Sequence, residues 1–569
     1  MNNQELTGFP SIDKPWLKYY KDPETFAVPK NKNYDYIYNR IKDRGDNIAI
    51  RYFSAKITYR EMFQKVEAAA KALKALGVKE KEIVSVCLPN IPEVVYVYYA
   101  INRIGAVANM LDPRCNVSTL QRSCKDAKSK LLVTLDMVLE KFIPENGKPQ
   151  FKRIVSVSPT NSLGAPFRLL NAVKSKLRTT NSSVVSWNQF IRGGRNYNGS
   201  IDSEYIPDSP AVIAYTGGTT GAPKGVIATN ESLNAILEMN DYNRYNSKEK
   251  ESGLIVAPPW TFYGLNNCIN GHLCMRQELI LIPKSAPDEL GKLILKYKPN
   301  HVITVPSALK GLIRDIPSGY DLSFLKCLIV GADKLTEVFE NEVNTFLKQH
   351  NADCVVTKGY GMTEVTACAT YTLDNCNIAG SVGIPYVGNI ISAFDPDTGE
   401  ELKYNEKGEI AIHGPTMMKG YFGVAAGETS SVLKKHKDGT LWVHTGDIGH
   451  IDENGVLYID GRIKRMFAKN GYKIFAGEVE NQIMRSGLAE SCAVVAVPDN
   501  VLGFKEVAFV VLKSKANKAD AEKTLGAFLL ESLYDYEVPD KYNFVDELPL
   551  TGMNKIDFRA LEKLAEKGE

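Results

Sequence analysis

The chain has 569 residues, of which 44% are hydrophobic and 24% are charged, a composition typical of a globular protein that is too long for a single ordinary core. Its formal net charge of +3 lacks the concentrated basic excess that a surface following nucleic-acid phosphates needs. We therefore expect two or more domains and no nucleic-acid partner.

Ten cysteines are scattered along the chain, without a CxxC pair and without a metal-like grouping with the seven histidines. This distribution is typical of reduced thiols and favours a cytoplasmic location. The sequence starts without a basic segment followed by an apolar run, and no stretch reaches the roughly 18 apolar residues needed to span a bilayer. We expect neither export nor a transmembrane segment.

The first part of the chain alternates amphipathic helices with short apolar strands. Residues 61–76 carry apolar side chains at three- and four-residue spacing, and Gly77 follows where a helix would end. Residues 83–88, 93–104 and 106–111 predict a strand, a helix and a strand, which together form one βαβ unit. Further apolar runs extend this alternation at 131–135, 211–215, 254–257, 301–305 and 327–330. The pattern predicts parallel sheets with helices on their faces.

The pattern changes near residue 410. From there, alternating segments are separated by turn signals such as Glu453-Asn454-Gly455, which favour antiparallel hairpins. Residues 465–569 fit a second, small α+β unit, with a helix over 478–485 and strands over 492–497 and 507–512.

Residues 166–178 (PFRLLNAVKSKLR) can form a short helix with apolar residues on one side and basic residues around it. One interpretation is peripheral contact with anionic lipid. The alternative is a solvated surface insertion.

The strongest functional signal is the glycine-rich loop at residues 215–226, which follows the strand predicted at 211–215. Small residues there let backbone N–H groups approach an anion, and side chains add hydroxyl and ammonium donors. The loop residues concerned are Thr216, Gly217, Gly218, Thr219, Thr220, Gly221 and Lys224. A Walker A loop does not fit, because Lys224 lies between Pro223 and Gly225. The loop therefore predicts a nucleotide-phosphate site of another kind.

Several motifs in order resemble the adenylate-forming superfamily of acyl-CoA synthetases, peptide-synthetase adenylation domains and firefly luciferase. The loop YTGGTTGAPKGV is similar to that superfamily's phosphate signature, with Gly217 where the superfamily usually has Ser. Further matches follow at 359–364 (GYGMTE), 442–447 (WVHTGD), 461–464 (GRIK) and 549–555 (PLTGMNK). The resemblance covers nearly the whole chain.

The resemblance implies an α/β fold with two parts. Residues 1–463 would form a large N-terminal AMP-binding domain, built from two doubly wound α/β subdomains plus a distorted β-barrel. Residues 464–569 would form a small mobile α+β C-terminal domain that carries the catalytic lysine.

The resemblance also assigns an ATP site. Tyr360 would stack on the adenine, and Glu364 would bind Mg²⁺ together with substrate phosphates. Asp447 would accept hydrogen bonds from the ribose hydroxyls, and Arg462 would donate to the sugar or the phosphate. The predicted nucleotide-binding set is completed by Gly331, Ala332, Gly361 and Thr363.

Lys555 would be the catalytic lysine, because adenylation brings two anions together and a positioned ammonium offsets their repulsion. Asn554 stands beside it where the superfamily usually has Gly. Glu364 and Thr220 complete the predicted catalytic set.

Lys464 matches the hinge about which the small domain would swing between the two half-reactions. After that rotation, Gly471 and Tyr472 would face CoA.

The segment 258–264 (PPWTFYG) resembles the motif that flanks the acid site, with Thr261 in the position of a histidine. Trp260, Phe262 and Tyr263 are candidates for an acyl pocket, and a structural core is the equal alternative. The absence of Asp and Glu between residues 258 and 276 argues against an α-amino acid, whose ammonium would need a partner.

These observations predict an enzyme, an AMP-forming acid–thiol ligase that uses ATP, Mg²⁺ and CoA on a hydrophobic carboxylic acid. A fatty acid is the first choice, and an aryl or bile-type acid is the next. One alternative is an acyl-AMP ligase that loads an acyl carrier protein, and another is a non-catalytic adenylate-binding protein. A luciferase-like oxygenase has no specific support, and the oligomeric state, monomer or dimer, stays open.

Overall fold

A computed structural model of the chain describes residues 6–143, 151–163, 183–216, 223–242, 249–284, 287–423, 429, 431–469, 472–499, 503–513, 518–550 and 556–567. Up to residue 193 its helices and strands are, in order, α1 (Pro10–Asp13), α2 (Asn33–Ile41), β1 (Ile48–Tyr52), β2 (Ala55–Thr58), α3 (Tyr59–Ala75), β3 (Ile83–Cys87), α4 (Pro92–Arg103), β4 (Val107–Met110), α5 (Val117–Asp126), β5 (Leu131–Leu135), β6 (Arg153–Val157), β7 (Val184–Ser186) and α6 (Trp187–Gly193).

The middle of the chain contains β8 (Pro210–Tyr215), β9 (Gly225–Thr229), α7 (Asn230–Tyr242), β10 (Ser252–Ile255), a π-helix (Tyr263–Asn270), α8 (Gly271–Cys274), β11 (Glu278–Leu281), α9 (Leu290–Tyr297), β12 (His301–Thr304), α10 (Pro306–Asp315), β13 (Cys327–Val330), α11 (Glu337–Gln349) and β14 (Val356–Lys358). The remainder contains β15 (Thr370–Tyr371), β16 (Ile384–Pro385), β17 (Ile390–Phe394), β18 (Gly408–His413), β19 (Gly420–Phe422), β20 (Leu433–Lys435), β21 (Leu441–Ile451), β22 (Leu457–Arg462), β23 (Met466–Lys469), β24 (Tyr472–Phe475), α12 (Ala476–Arg485), β25 (Ala489–Asp499), β26 (Gly503–Leu512), α13 (Lys518–Ser532), β27 (Lys541–Phe544) and α14 (Phe558–Glu566).

Two large sheets form the first part of the fold. Their strand orders are β19-β9-β8-β4-β3-β5-β6-β7 and β14-β13-β12-β10-β11-β1-β2. Neighbouring strands run parallel except in the β8–β9–β19 group and at the β1–β2 edge. The predicted βαβ unit is confirmed as β3, α4 and β4, with Ile83 paired to Val107.

Helix α3 begins two residues before the predicted start. Thr58 caps it by accepting a hydrogen bond from the Glu61 backbone N–H, while the Glu61 carboxylate accepts from the Thr58 N–H. This reciprocal capping box satisfies two N–H groups that lack a partner within the helix. At the other end, Gly77 has φ +83°, as the predicted stop requires.

The third sheet is antiparallel, with order β17-β18-β21-β20 and with β22 also paired to β21. It confirms the predicted hairpins, although it begins at Ile390, earlier than the pattern indicates. The predicted turn at 453–455 joins β21 to β22. Gly455 is required there, since its φ is +86° and a Cβ would lie 2.6 Å from the Trp16 backbone nitrogen.

One hydrophobic core connects these three sheets. It contains Val86 of β3, Leu279 of β11 and Ile410 of β18, all of them buried. The mixed α/β architecture predicted for the large N-terminal part is therefore confirmed. Among the described residues, none of the helices combines the length and the apolar character needed to cross a bilayer.

The small C-terminal part is built on the sheet β25-β26-β27. Val494 lies in a core with residues of α12 and α13 on one face, and Phe509 lies in a second core with Leu561 of α14 on the other. The predicted α+β unit is confirmed, with strands longer than predicted.

Glu506 of β26 is fully buried, and neither of its carboxyl oxygens has a hydrogen-bond partner among the described residues. Burial raises the pKa of Glu506 to about 9, and Lys469 opposes this shift. Lys469 pairs instead with Asp540 at 2.9 Å. Glu506 is therefore held as the neutral acid at neutral pH.

We predict that Glu506→Gln stabilises the protein increasingly as pH rises. Below the unfolded-state pKa, near 4.5, Glu506 is protonated in both the folded and the unfolded wild-type protein. Between that value and about 9, only the unfolded chain ionises, so wild-type stability falls by up to ~1.4 kcal/mol per pH unit while the glutamine variant does not titrate.

Urea unfolding of both proteins at several pH values measures the difference. Glu522→Gln, at an exposed position on α13, is the control and should show a constant difference. The prediction is contradicted if the difference in free energy of unfolding between Glu506→Gln and the wild type does not grow between about pH 5 and pH 8.

Candidate active site

The ends of the glycine-rich loop are fixed by a hairpin. Strands β8 and β9 pair antiparallel, with Tyr215 opposite Gly225. Beyond the strands, the Thr216 N–H donates to the Lys224 carbonyl at 3.0 Å, and the Lys224 N–H donates to Thr216 Oγ1 at 3.1 Å. The predicted loop residues Gly217, Gly218, Thr219, Thr220 and Gly221 lie outside the described residues.

Tyr421 connects the base of this loop to Glu364. The Tyr421 hydroxyl donates to Glu364 Oε1 at 2.6 Å, and Lys224 Nζ lies 5.0 Å from the centre of the Tyr421 ring. Glu364 sits in the short 3₁₀ turn Thr363–Val365 and is 7% exposed. Burial, followed by the charge of Glu364, raises the pKa of Tyr421, so the phenol remains a donor.

Sequence reasoning did not single out Tyr421. Its strand β19 pairs with β9, which places Tyr421 opposite Val226 of the loop hairpin. The segment around it shows only a short run of apolar residues after a glycine, which is also typical of an ordinary strand. A contact between positions 195 residues apart in sequence depends on sheet pairing that the local pattern does not show.

A second group of predicted residues meets at Asp447. The Tyr360 hydroxyl donates to Asp447 Oδ2 at 2.6 Å, and Arg462 Nε lies 2.8 Å from Asp447 Oδ1. Asp447 and Arg462 are cross-strand partners in β21 and β22. Burial, followed by the charge of Asp447, raises the pKa of Tyr360. The tyrosine, aspartate and arginine of the sequence prediction therefore form one cluster.

The turn that presents Asp447 is supported by Glu409 of β18. Glu409 accepts from the Gly446 N–H at 3.1 Å and lies 2.7 Å from His444 Nδ1. The Thr445 hydroxyl donates to the Ile410 carbonyl at 2.7 Å. These buried contacts fix the backbone on both sides of Asp447.

Two glycine-containing segments lie side by side near both groups of residues, and one of them carries Tyr360 and Glu364. The Gly359 N–H donates to the Val330 carbonyl at 3.2 Å, which places Gly331 and Ala332 beside the segment that carries Tyr360 and Glu364. Gly361 permits a close approach there, because a Cβ at this position would lie 2.0 Å from the Ala367 carbonyl oxygen.

The sequence model of the AMP-binding enzyme family matches residues 37–422, and that of the AMP-binding enzyme C-terminal domain matches residues 478–555. A long-chain-fatty-acid–CoA ligase of Bacillus subtilis is 32% identical over 96% of this chain and 97% of its own length. This chain belongs to the AMP-binding enzyme family. Its sequence prediction as an AMP-forming acid–thiol ligase is confirmed at the level of enzyme class.

Two further matches agree with this assignment. The 4-coumarate–CoA ligase 1 of Arabidopsis thaliana is 29% identical over 85% of this chain and 84% of its own length. The crystal structure of the anthranilate CoA ligase AuaEII in complex with anthranoyl-AMP superposes with a TM-score of 0.80, at 20% identity, over 96% of this chain and 100% of that chain. The structural match shows the shared fold.

The predicted acyl-pocket residues of this AMP-binding enzyme have three different environments. Phe262 lies in the main core and is 1% exposed. The Tyr263 hydroxyl donates to the Thr304 carbonyl at 2.8 Å. It also lies close to Gly331, where an added Cβ would be 3.5 Å from the hydroxyl oxygen. Trp260 lies beneath the Arg114 guanidinium at 5.0 Å. The pocket assignment stays a prediction.

Thr261 occupies the position that the motif at 258–264 usually gives to a histidine. Its hydroxyl donates to the Pro258 carbonyl at 2.9 Å and accepts from the Gly264 N–H at 3.1 Å. Thr261 therefore fixes the start of the π-helix, an unusual element that often marks functional sites.

The predicted hinge lies in the 3₁₀ turn Ile463–Arg465, where Lys464 is exposed. Arg465 pairs with Glu480 of α12. Other predicted positions lie outside the described residues, namely Lys555, Gly471, the Tyr472 side chain and the segment 166–178.

We predict that Tyr421→Phe weakens ATP binding about tenfold, because Glu364 loses the donor that orients it beside Lys224. Isothermal titration calorimetry measures the change. Tyr404→Phe is the control, since Tyr404 also donates to a carboxylate, that of Asp13, at 2.9 Å, and neither residue belongs to the cluster. Equal affinities for the wild type and Tyr421→Phe would contradict this role.

Proposed function

We propose that this AMP-binding enzyme adenylates a hydrophobic carboxylic acid with ATP and then transfers the acyl group to CoA. A fatty acid is the first choice of substrate, an aryl or bile-type acid is the next, and we place the reaction in the cytoplasm. One observation carries the proposal. The Lys224–Tyr421–Glu364 contacts and the Tyr360–Asp447–Arg462 contacts are connected by the segment 359–364.

The Asp447 cluster is suited to the nucleoside. A carboxylate offers about four lone-pair directions, so Asp447 can accept from ribose hydroxyls while it keeps Tyr360 and Arg462 as partners. The hydrogen bond from Tyr360 also holds its ring, which supports the proposed role as a stacking surface for adenine. Arg462 is 61% exposed at its side chain and can turn towards the sugar or the phosphate.

The Tyr421 cluster is suited to the phosphates. Among the described residues, no group of three or more His, Cys, Asp or Glu side chains is arranged to hold a metal ion. Glu364 fits Mg²⁺ in a different way, because this hard cation is commonly held by one or two carboxylates together with substrate phosphates. When bound, Mg²⁺ would neutralise charge on the phosphates. Tyr421 holds Glu364 Oε1 and so orients Oε2 for that contact.

The first half-reaction forms a bond between a carboxylate oxygen and the α-phosphorus and breaks the bond to pyrophosphate. We propose that Lys555 offsets the repulsion between the two reacting anions, while Thr220, with the rest of the loop, binds the leaving pyrophosphate. In the second half-reaction the CoA thiol, as its thiolate, attacks the acyl carbon of the mixed anhydride. AMP leaves and the thioester remains.

The character of the acid is supported by the apolar segment 258–276. It contains the half-buried Trp260 and Tyr263 and lacks an acidic residue that could balance a substrate ammonium. The Bacillus relative that matches over almost its full length is named for long-chain fatty acids, and this supports the first choice. The coumarate ligase supports aryl acids as the next.

The two half-reactions need different parts of the small domain. We propose that residues 464–569 rotate about Lys464, so that Lys555 meets the α-phosphate in the first step. In the second step, Gly471 and Tyr472 would face CoA.

We predict that Lys555→Ala lowers acid-dependent exchange of pyrophosphate into ATP by about 100-fold or more, because the reacting anions lose their counter-charge. Transfer from a supplied acyl-adenylate to CoA should change far less. Lys563→Ala, at an exposed position on α14, is the control. Retained exchange in Lys555→Ala refutes the proposed role.

We also predict that AMP release across a panel of acids of graded chain length and aromatic content is highest for a fatty acid, and that α-amino acids are inactive because their ammonium stays unpaired. If acyl-AMP accumulates with CoA present, and a holo carrier protein restores transfer, CoA is not the acceptor. A maximum with a polar amino acid overturns the proposed acid class.

A further inference from the structure

Asn267 lies on the π-helix Tyr263–Asn270, the element that continues the predicted acyl-pocket segment 258–264. It is 8% exposed, and its Nδ2 donates to the Cys368 sulfur at 2.8 Å. Its Oδ1 is buried and has no hydrogen-bond partner in the part of the chain that the structure describes. A buried amide oxygen without a partner is unfavourable, and a bound molecule that donates a hydrogen bond to it would remove that cost.

The neighbours of Asn267 belong to the predicted acid site. An added Cβ at Gly359 would lie 3.9 Å from the Cys368 sulfur. One at Gly331 would lie 3.5 Å from the Tyr263 hydroxyl oxygen and 3.3 Å from the Gly359 carbonyl oxygen. Gly331 follows β13 and Gly359 follows β14. One neighbourhood at the ends of these strands, which we name the π-helix site, is therefore formed by Asn267, Tyr263, Cys368, Gly331 and Gly359.

Two other asparagines of this helix use their amide oxygens within the protein. Asn266 donates to the Leu233 carbonyl at 3.1 Å, and its Oδ1 accepts from Asn270 at 3.0 Å. The Asn270 Oδ1 in turn accepts from the Tyr99 hydroxyl at 2.7 Å. The fold thus satisfies both of these oxygens, whereas that of Asn267 has no donor among the described residues.

Cys368 does not supply the missing donor. It contacts the nitrogen of the Asn267 amide and not the oxygen. Burial raises the pKa of Cys368 to about 11, while the hydrogen bonds from Asn267 and Tyr386 oppose the shift, so the thiol is neutral at neutral pH. This weak sulfur acceptor holds the amide in place and leaves Oδ1 for another donor.

We propose that Asn267 selects a hydrophobic acid that carries a hydroxyl group on its tail. The hydroxyl would donate to Asn267 Oδ1, and the apolar part of the tail would contact Tyr263. An acid without the hydroxyl leaves the buried oxygen unpaired, and a site built in this way discriminates against such an acid. Hydroxylated fatty acids and hydroxylated aryl acids share this chemistry. The inference rests on the proposed function, because it places the tail of the acid at the π-helix site.

Asn377 shows why the location of Asn267 matters. The Asn377 Nδ2 donates to the Val356 carbonyl at 2.9 Å, and its Oδ1 is also buried without a partner among the described residues. Asn377 contacts the start of β14, whereas the π-helix site lies beyond the end of that strand. The two asparagines have the same pattern of hydrogen bonds at different places, so Asn377 is a matched control.

The first test compares matched pairs of acids on the wild-type enzyme. One series is a fatty acid with its analogues hydroxylated at successive carbons, and the other is cinnamic acid with its ring-hydroxylated analogues. Release of AMP with ATP and CoA gives kcat/KM for each acid. We expect at least one hydroxylated acid to exceed its parent by about tenfold or more, and the series in which it occurs identifies the substrate class.

The second test is Asn267→Leu, which keeps the approximate size of the side chain and removes its hydrogen-bonding atoms. The preference for the hydroxylated acid should fall from about tenfold to about onefold, while the KM for ATP stays unchanged. Asn377→Leu should keep the full preference. If Asn267→Leu also keeps it, the inference is overturned.

The wild-type comparison decides the inference even if Asn267→Leu fails to fold. A preference for the parent acid in every pair overturns it. A preference for keto analogues over hydroxylated acids also overturns it, since the amide nitrogen would then face the substrate. Absence of AMP release with every acid would instead refute the proposed function. Calorimetric titration of the same pairs would then still decide whether Asn267 recognises the hydroxyl.

Discussion

The buried carboxylate of Asp447 is the interaction on which the arrangement of the site depends. It lies at 4% exposure and receives Tyr360 from the segment after β14 and Arg462 from β22. A charge at this depth is stable only with partners, so the pairing connects the segment after β14 with β21 and β22 of the antiparallel sheet. Arg462 is separated from Lys464 by one residue, so the Asp447 cluster lies next to the proposed hinge.

Tyr421 connects a second group of residues in a comparable way. Its hydroxyl orients Glu364, its ring contacts Lys224, and its strand β19 pairs with the loop hairpin. A hydrogen bond to a charged acceptor is stronger than one between neutral groups, and burial increases that difference. Three residues that would otherwise be independent therefore form one connected group at the base of the loop hairpin.

The sheet of the small C-terminal part separates two hydrophobic cores. Val494 and α12 belong to the core on one face, while Leu548 and Ile556 pack with Phe509 in the core on the other. The contacts between this part and the rest of the chain include the partly exposed ion pair Lys407–Glu478. Such exposed pairs are weaker than the packing of a hydrophobic core.

The sequence alone indicated the alternation of helices and strands before about residue 410, the hairpins after it and the small α+β unit, and it identified the motifs around Lys224, Tyr360, Glu364, Asp447 and Arg462. These signals are local, since helix periodicity, strand alternation and motif spacing depend on neighbouring residues. Only the tertiary structure showed that Tyr421 joins Glu364 and that Phe262 lies in the main core. Such contacts depend on which strands and faces meet across long separations, and the chain encodes that information in the packing of the whole fold and not in any local pattern.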